Sequence, residues 1–147
     1  MRHDEFIGQV QARAALPDPG AAERAVRATL ETLAERLPDG LVTHLAAQLP
    51  HEIAEHLHRV ITARDGDPEQ RGAAERFDLT AFSGRVAWRG GVSEDAAVRE
   101  ATAVFEVLDA ALAPELMERL ERSLPQDIRA LLPTARVRDS ETGAGAG

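Results

Sequence analysis

The chain has 147 residues, a formal net charge of −8 and 44% hydrophobic residues, which is typical of a soluble globular protein with one domain or two small ones. It contains no cysteine and no lysine, which excludes disulfides, thiolate metal sites, cysteine nucleophiles and Schiff-base chemistry. The acidic charge disfavours binding to nucleic acid, and no apolar run approaches the ~20 residues that a membrane helix requires.

The first half of the chain predicts four helices. Asp4 is expected to cap a helix that runs to about Ala14, with Phe6, Ile7 and Val10 on one face. Prolines and turn-forming residues then separate three further helices, over residues 19–37, 41–49 and 50–64. The apolar spacing of the second, long helix is that of an amphipathic stripe facing a core.

The second half predicts four more helices after a polar linker. The linker, residues 65–76, is rich in turn formers. The helices that follow begin at residues typical of helix starts, namely Asp78 or Thr80, Ser93, Pro114 and Pro125. The last helix is expected to end near Leu132, and the tail over residues 134–147 is expected to be disordered.

The two halves are similar in sequence. Residues 6–10 recur 76 positions later as residues 82–86, and an apolar ladder recurs 75 positions later. The ladder is Leu33, Leu37, Leu41, Leu45, Leu49 and Ile53, followed by Leu108, Leu112, Leu116, Leu120, Leu124 and Ile128. Because a unit of ~50–60 residues buries only a marginal core alone, we expect an all-α bundle. In it, two tandem repeats of about four helices, residues 1–64 and 77–133, pack face to face with approximate twofold symmetry.

This doubled pattern resembles a bacterial family known only as domain of unknown function 2267. The resemblance covers most of residues 4–133 and rests on residues 6–10, 28–37 and 47–53 in the first copy and on residues 75–82 and 124–128 in the second. It implies an all-helical protein without an established activity, so it assigns no catalytic residue and no cofactor. One departure is Pro133, which ends the last helix where family members continue into a Leu-Phe ending.

Histidine and glutamate residues in and before the fourth predicted helix are one candidate for chemistry. Residues 51–56 read His-Glu-Ile-Ala-Glu-His and resemble a zinc-protease helix, but the position that shares a helix face with the first histidine holds glutamate. The candidates for a metal site are His44, His51, Glu55 and His56. The second copy has Arg119, Gln126, Ala130 and Leu131 in their places, so the competing interpretation is a solvated helix face with His56 partly buried.

Polar residues that recur in both copies are the second candidate. They are Arg13 and Arg89, Arg24 and Arg99, and Glu31 and Glu106. The sequence allows two interpretations of them, which are ion pairs that join helices and the charged rim of a binding groove. The interaction candidates among them are Arg24, Glu31, Arg99 and Glu106.

Trp88 and two glycines complete the set of residues with an expected role. Trp88 aligns with Ala12, so it is specific to the second copy; we expect it in the core or between the copies, with a partner anchor as the alternative. Gly8 and Gly84 interrupt helices, where glycine costs about 1 kcal/mol relative to alanine. We therefore expect a close helix approach at both glycines.

These features favour a non-enzymatic protein-interaction or scaffolding module that binds a protein partner or a second copy of itself. The alternative is a small-molecule or metal site, with or without catalysis, in the groove between the repeats. A transcription regulator with helix-turn-helix units is disfavoured by the net charge of −8. The charged start of the chain lacks an apolar signal segment, so we expect a cytoplasmic location.

Overall fold

The computed structural model describes residues 1–69, 72 and 74–133. These residues form helices and no strands, which confirms the expected all-α class. The helices are α1 His3–Arg13, α2 Pro19–Arg36, α3 Asp39–Ala47, α4 His51–Asp65, α5 Leu79–Gly90, α6 Glu94–Ala111, α7 Pro114–Arg122 and α8 Gln126–Arg129. The tail over residues 134–147, predicted to be disordered, lies outside the described residues.

Most helices begin at the residues that the sequence indicates. The side chains of Asp18, Asp78 and Ser93 occupy the N-cap positions of α2, α5 and α6, and each accepts a hydrogen bond from the backbone N–H three residues later. Pro114 is the first residue of α7, where its missing N–H costs nothing. Gly91 ends α5 in a left-handed conformation with φ of 65°, which glycine adopts without steric cost.

Two helix ends differ from the prediction. Arg2, rather than Asp4, occupies the N-cap position of α1, and Asp4 lies in the first turn, where the helix dipole favours a carboxylate. The last helix, α8, ends at Arg129 instead of near Leu132, and the chain continues in tight turns. Pro133 explains why the helix does not include Leu132, because the residue before a proline disfavours helical dihedral angles.

The two long helices, α2 and α6, lie at the centre of the bundle. α2 packs against α1, α4, α5 and α6, and α6 also packs against α1, α5 and α7. All twelve apolar positions of the recurring ladder are buried, so the ladder forms the core. Among the described residues, no helix has both the length and the apolar character needed to cross a membrane.

The expectation that Trp88 lies in the core or between the copies is wrong. Trp88 is 85% exposed, whereas Phe82 and Val86 on the same helix are buried. Successive residues of an α-helix are about 100° apart, so Trp88 lies about 200° round α5 from Val86 and faces away from the core. The helical period therefore determines the direction of the Trp88 side chain, and it overrides the preference of a large apolar side chain for burial.

The expectation of a close helix approach at the two recurring glycines is also wrong. A Cβ atom on Gly8 would have no heavy atom within 4 Å, and a Cβ atom on Gly84 would first meet Glu94 Oε1 at 3.6 Å. Both glycines therefore have room for a larger side chain.

Candidate functional site

The four metal-site candidates do not form one cluster. His51 Nε2 lies 3.2 Å from Glu55 Oε1 on the exposed face of α4. His44, on α3, accepts a hydrogen bond from Arg119 of α7 at 2.8 Å, and His56 contacts Arg59 on the opposite side of α4 from His51. Over residues 1–69, 72 and 74–133 there is no group of three or more histidine, aspartate or glutamate side chains that could hold a metal ion.

The recurring arginines Arg13 and Arg89 contact the recurring glutamates Glu106 and Glu31, and each contact joins the two halves of the chain. Arg13 of α1 donates to Glu106 of α6 at 2.8 Å, and Arg89 Nε of α5 lies 3.7 Å from Glu31 of α2. Each arginine thus pairs with the glutamate of the other predicted copy. This arrangement fits the interpretation of the recurring charges as ion pairs that join helices.

The third recurring pair, Arg24 and Arg99, has a different position. Both side chains are exposed, and both act electrostatically on Glu100 of α6, a residue with only 7% of its surface exposed. Burial raises the pKa of the Glu100 carboxyl, and the two arginines oppose that rise. Arg24 and Arg99 are therefore more exposed to solvent than Glu31 and Glu106, which are half-buried.

A denser charge network surrounds Glu35 of α2. Arg89 of α5 donates two hydrogen bonds to this carboxylate, of 2.8 and 2.7 Å, and it also donates to Thr32 Oγ1 at 2.8 Å. Arg85, one turn earlier on α5, donates to Glu35 at 3.1 Å and to Glu75 at 3.2 Å. Paired N–H donors of arginine fit a carboxylate in fixed geometry, so the network locks α5 onto α2.

The network also changes the ionisation of Glu35. Burial alone would raise its pKa, but the hydrogen bonds and charges of Arg89 and Arg85 hold the pKa of the Glu35 carboxyl below its ordinary value of 4.5.

The Arg85 guanidinium also stacks over the Phe77 ring, with its central carbon 4.0 Å from the ring centroid. Arg85 is thus fixed from two sides.

Trp88 borders a concavity beside this network, which we name the Trp88 surface. The concavity has a volume of about 520 Å³ and is lined by Glu35, Glu75, Ala81, Gly84, Arg85, Trp88 and Arg89. Ala81 and Gly84 are small and leave room next to the indole, and the ion-paired residues Glu35, Arg85 and Arg89 also line the concavity. The site therefore combines a large exposed aromatic group with a rigid polar frame.

Sequence analysis missed Arg85, Glu35 and Glu75. The signal was present for the first two: Arg85 precedes Arg89 by one helical turn, and Glu35 follows Glu31 by one turn. Residues four apart share a helix face, so an arginine pair on α5 and a glutamate pair on α2 indicate two facing charged rows. Glu75 lies outside the helices, where spacing carries no such signal.

Replacing Glu35 with glutamine is expected to lower the free energy of unfolding by about 2 kcal/mol at neutral pH, because charge-assisted hydrogen bonds from two arginines are weakened. Since the folded-state pKa of Glu35 is depressed, its contribution is fully present above the ordinary value of 4.5 and is lost as pH falls through the folded-state pKa. Urea unfolding measured at neutral and acidic pH tests this. Glu118→Gln, at an exposed position of α7, is the control and should be nearly neutral.

The comparisons with known proteins identify a family. No curated protein matches the chain. A family model described as "Uncharacterized conserved protein (DUF2267)" matches residues 3–131, which is most of the sequence and includes both ion-pair sets and the Trp88 surface. The chain therefore belongs to the DUF2267 family.

Proposed function

We propose that the protein is a non-enzymatic protein-interaction module that docks a protein partner on the Trp88 surface. The observation that carries the proposal is the 85% exposure of Trp88, the one tryptophan of the chain. A tryptophan side chain buries 150–250 Å², typically more than any other residue, when it is covered. Tryptophan is also among the residues most enriched at the energetic centres of protein interfaces.

The surroundings of Trp88 suit docking. Arg85 and Arg89 are held by Glu35, Glu75 and the Phe77 ring, so a partner would meet side chains that are already ordered. Ordering rotamer-rich side chains on binding costs about 0.5–1.5 kcal/mol each, and a preorganised frame avoids that cost. The partner that fits offers an apolar side chain to the space beside Ala81 and Gly84, with hydrogen-bond acceptors around it for the remaining arginine donors.

The proposal includes the two-repeat architecture, with repeats at residues 1–64 and 77–133 and a linker at 65–76. Three of the four pairs of corresponding helices have matching lengths: α1 and α5 have 11 and 12 residues, α2 and α6 have 18 each, and α3 and α7 have 9 each. The fourth pair differs, since α4 has 15 residues and α8 has 4. The reciprocal pairs of Arg13 with Glu106 and of Arg89 with Glu31 also support it. The repeats differ at the position of Trp88, where the first copy has Ala12, so one repeat alone carries the anchor.

Site-specific photocrosslinking in the source cells tests the proposed docking. A photoreactive amino acid at position 88 is expected to capture one protein that the same group at Glu118, an exposed position on α7, does not capture. The captured protein is then purified and mixed with the native chain, and a complex of defined stoichiometry is expected. Capture of a second copy of the chain would indicate self-association through the same surface. Identical products from both positions, or no complex on mixing, would contradict the proposal.

A further inference from the structure

A second concave site lies between α1, α2 and α4, away from the Trp88 surface. The cleft has a volume of about 500 Å³ and is lined by His3, Ile7, Gly20, Glu23, Arg24, Arg27, Glu52 and His56. This volume lies within the range of about 300–1,000 Å³ that is usual for small-molecule sites. Nothing in the proposed docking function uses this cleft.

Two arginines in the cleft are not in ion-pair contact with any carboxylate of the described residues. Arg24 and Arg27 lie three residues apart on one face of α2. Among the described residues, neither guanidinium has a carboxylate oxygen within 4.0 Å, and Arg27 makes a single long contact of 3.5 Å to the carbonyl of Arg89. This differs from Arg89 and Arg85, whose guanidinium groups are held by carboxylates. An arginine without a carboxylate in contact is suited to receive one from a ligand, and here Arg24 is exposed and Arg27 half-buried.

The helix ends around the two arginines add partial positive charge to the cleft, against the carboxylates of Glu23 and Glu52. Three helices begin at its edge, with His3 in the first turn of α1, Gly20 in that of α2 and Glu52 in that of α4. No side chain caps the N-termini of α1 and α4. The amino end of a helix carries a partial positive charge from its free N–H groups. The arginines and these helix ends both favour the binding of a negatively charged group.

The His56 ring lies beside these charges. Burial is the largest cause that lowers the pKa of the ring, the charges of Arg59, Arg27 and His3 add to it, and Glu55 opposes it; together they give a pKa of about 4. The ring is therefore mostly neutral at pH 5, and a negative charge bound nearby raises its pKa. The group also faces Glu23 and Glu52 across the cleft.

We propose that this cleft binds a small organic anion that also carries hydroxyl groups, with its carboxylate or phosphate held by Arg24 and Arg27. The hydroxyl groups match the two acidic side chains that line the cleft. Glu23 is 3.5 Å from His3, and Glu52 makes no ion pair within the described part of the chain, so both carboxylates can accept hydrogen bonds from ligand hydroxyl groups. The volume exceeds that of a single inorganic ion, which is why an organic ligand fits better.

The test is the NMR signal of the His56 ring at about pH 5, followed during addition of malate or glucose 6-phosphate at constant ionic strength. An anion on the arginines is expected to raise the pKa of His56 by roughly one unit or more, which moves its ring resonances in a saturable way. The rings of His44 and His51, outside the cleft, should not change. Saturation by malate alone identifies a carboxylate site, and saturation by glucose 6-phosphate alone identifies a phosphate site.

Two variants distinguish specific binding from general screening. Arg24→Gln, at an exposed position, is expected to weaken binding roughly tenfold or more through loss of a charge-assisted hydrogen bond. Arg99→Gln, at the matching position of the second half, should bind as the native chain does. The proposal is overturned if neither probe shifts His56, if Arg24→Gln and the native chain respond equally, or if sulfate at the same ionic strength produces the same shift. These outcomes are independent of whether Trp88 docks a protein.

Discussion

Replacing Phe82 with alanine is expected to lower the free energy of unfolding by about 3–5 kcal/mol, the usual cost of removing a fully buried phenylalanine. Phe82 of α5 has no exposed surface and stacks against Phe105 of α6, with ring centroids 6.0 Å apart. The change removes this contact and leaves a cavity where α5 meets α6. Because a protein of this size is stable by about 5–15 kcal/mol, the variant should unfold at much lower urea concentration, measured by circular dichroism.

The matched control is Trp88→Ala on the same helix. It removes an even larger aromatic side chain, but one that is 85% exposed, so the free energy of unfolding should change by less than about 0.5 kcal/mol. A similar loss in Phe82→Ala and Trp88→Ala would show that Trp88 is buried in solution, and would contradict the orientation of α5.

The second large effect is expected at Arg64, which lies in the last turn of α4 and is 5% exposed. Its Nη1 donates to the carbonyl oxygen of Leu37 at 3.0 Å, and its Nη2 lies 2.6 Å from Asp39 Oδ1. Arg64 thus joins the end of α4 to the junction of α2 and α3. Arg64→Met keeps much of the side-chain volume but leaves Asp39 without this cation, so we expect a loss of about 3 kcal/mol.

Urea unfolding also measures this change, with Arg122→Met as the control. Arg122 is an exposed arginine in the last turn of α7, so it has a comparable place in a helix without the burial. Its replacement should alter stability by no more than about 0.5 kcal/mol. Equal effects of the two substitutions would contradict the role of Arg64 as a buried link.

The fold was predictable because its main signals are local. A leucine ladder with helical spacing specifies which face of each helix is buried, and caps such as Asp18 and Ser93 specify where helices begin. The end of α8 was less predictable. The apolar residues Leu131 and Leu132 suggested a longer helix, but the following Pro133 disfavours it.

The candidate site was only partly predictable. The residue type of Trp88 predicts burial, but its position two residues after the buried Val86 places it on the opposite, exposed face of α5. The reciprocal pairing of Arg13 with Glu106 depends on how α1 crosses α6, and no spacing along the chain contains that information. The same applies to Glu75, whose backbone N–H donates to the carbonyl of Glu35 at 2.9 Å and so brings its carboxylate to Arg85.

The most direct test of the proposed docking is the affinity of the crosslinked partner, once purified, for the native chain and for Trp88→Ala. We expect the substitution to weaken binding by about 2 kcal/mol, a factor of roughly 30 in Kd, with little change in stability. We also expect the fluorescence of Trp88, the sole tryptophan, to move to shorter wavelength when the partner covers it. An unchanged Kd together with unchanged emission at saturating partner would contradict docking on the Trp88 surface.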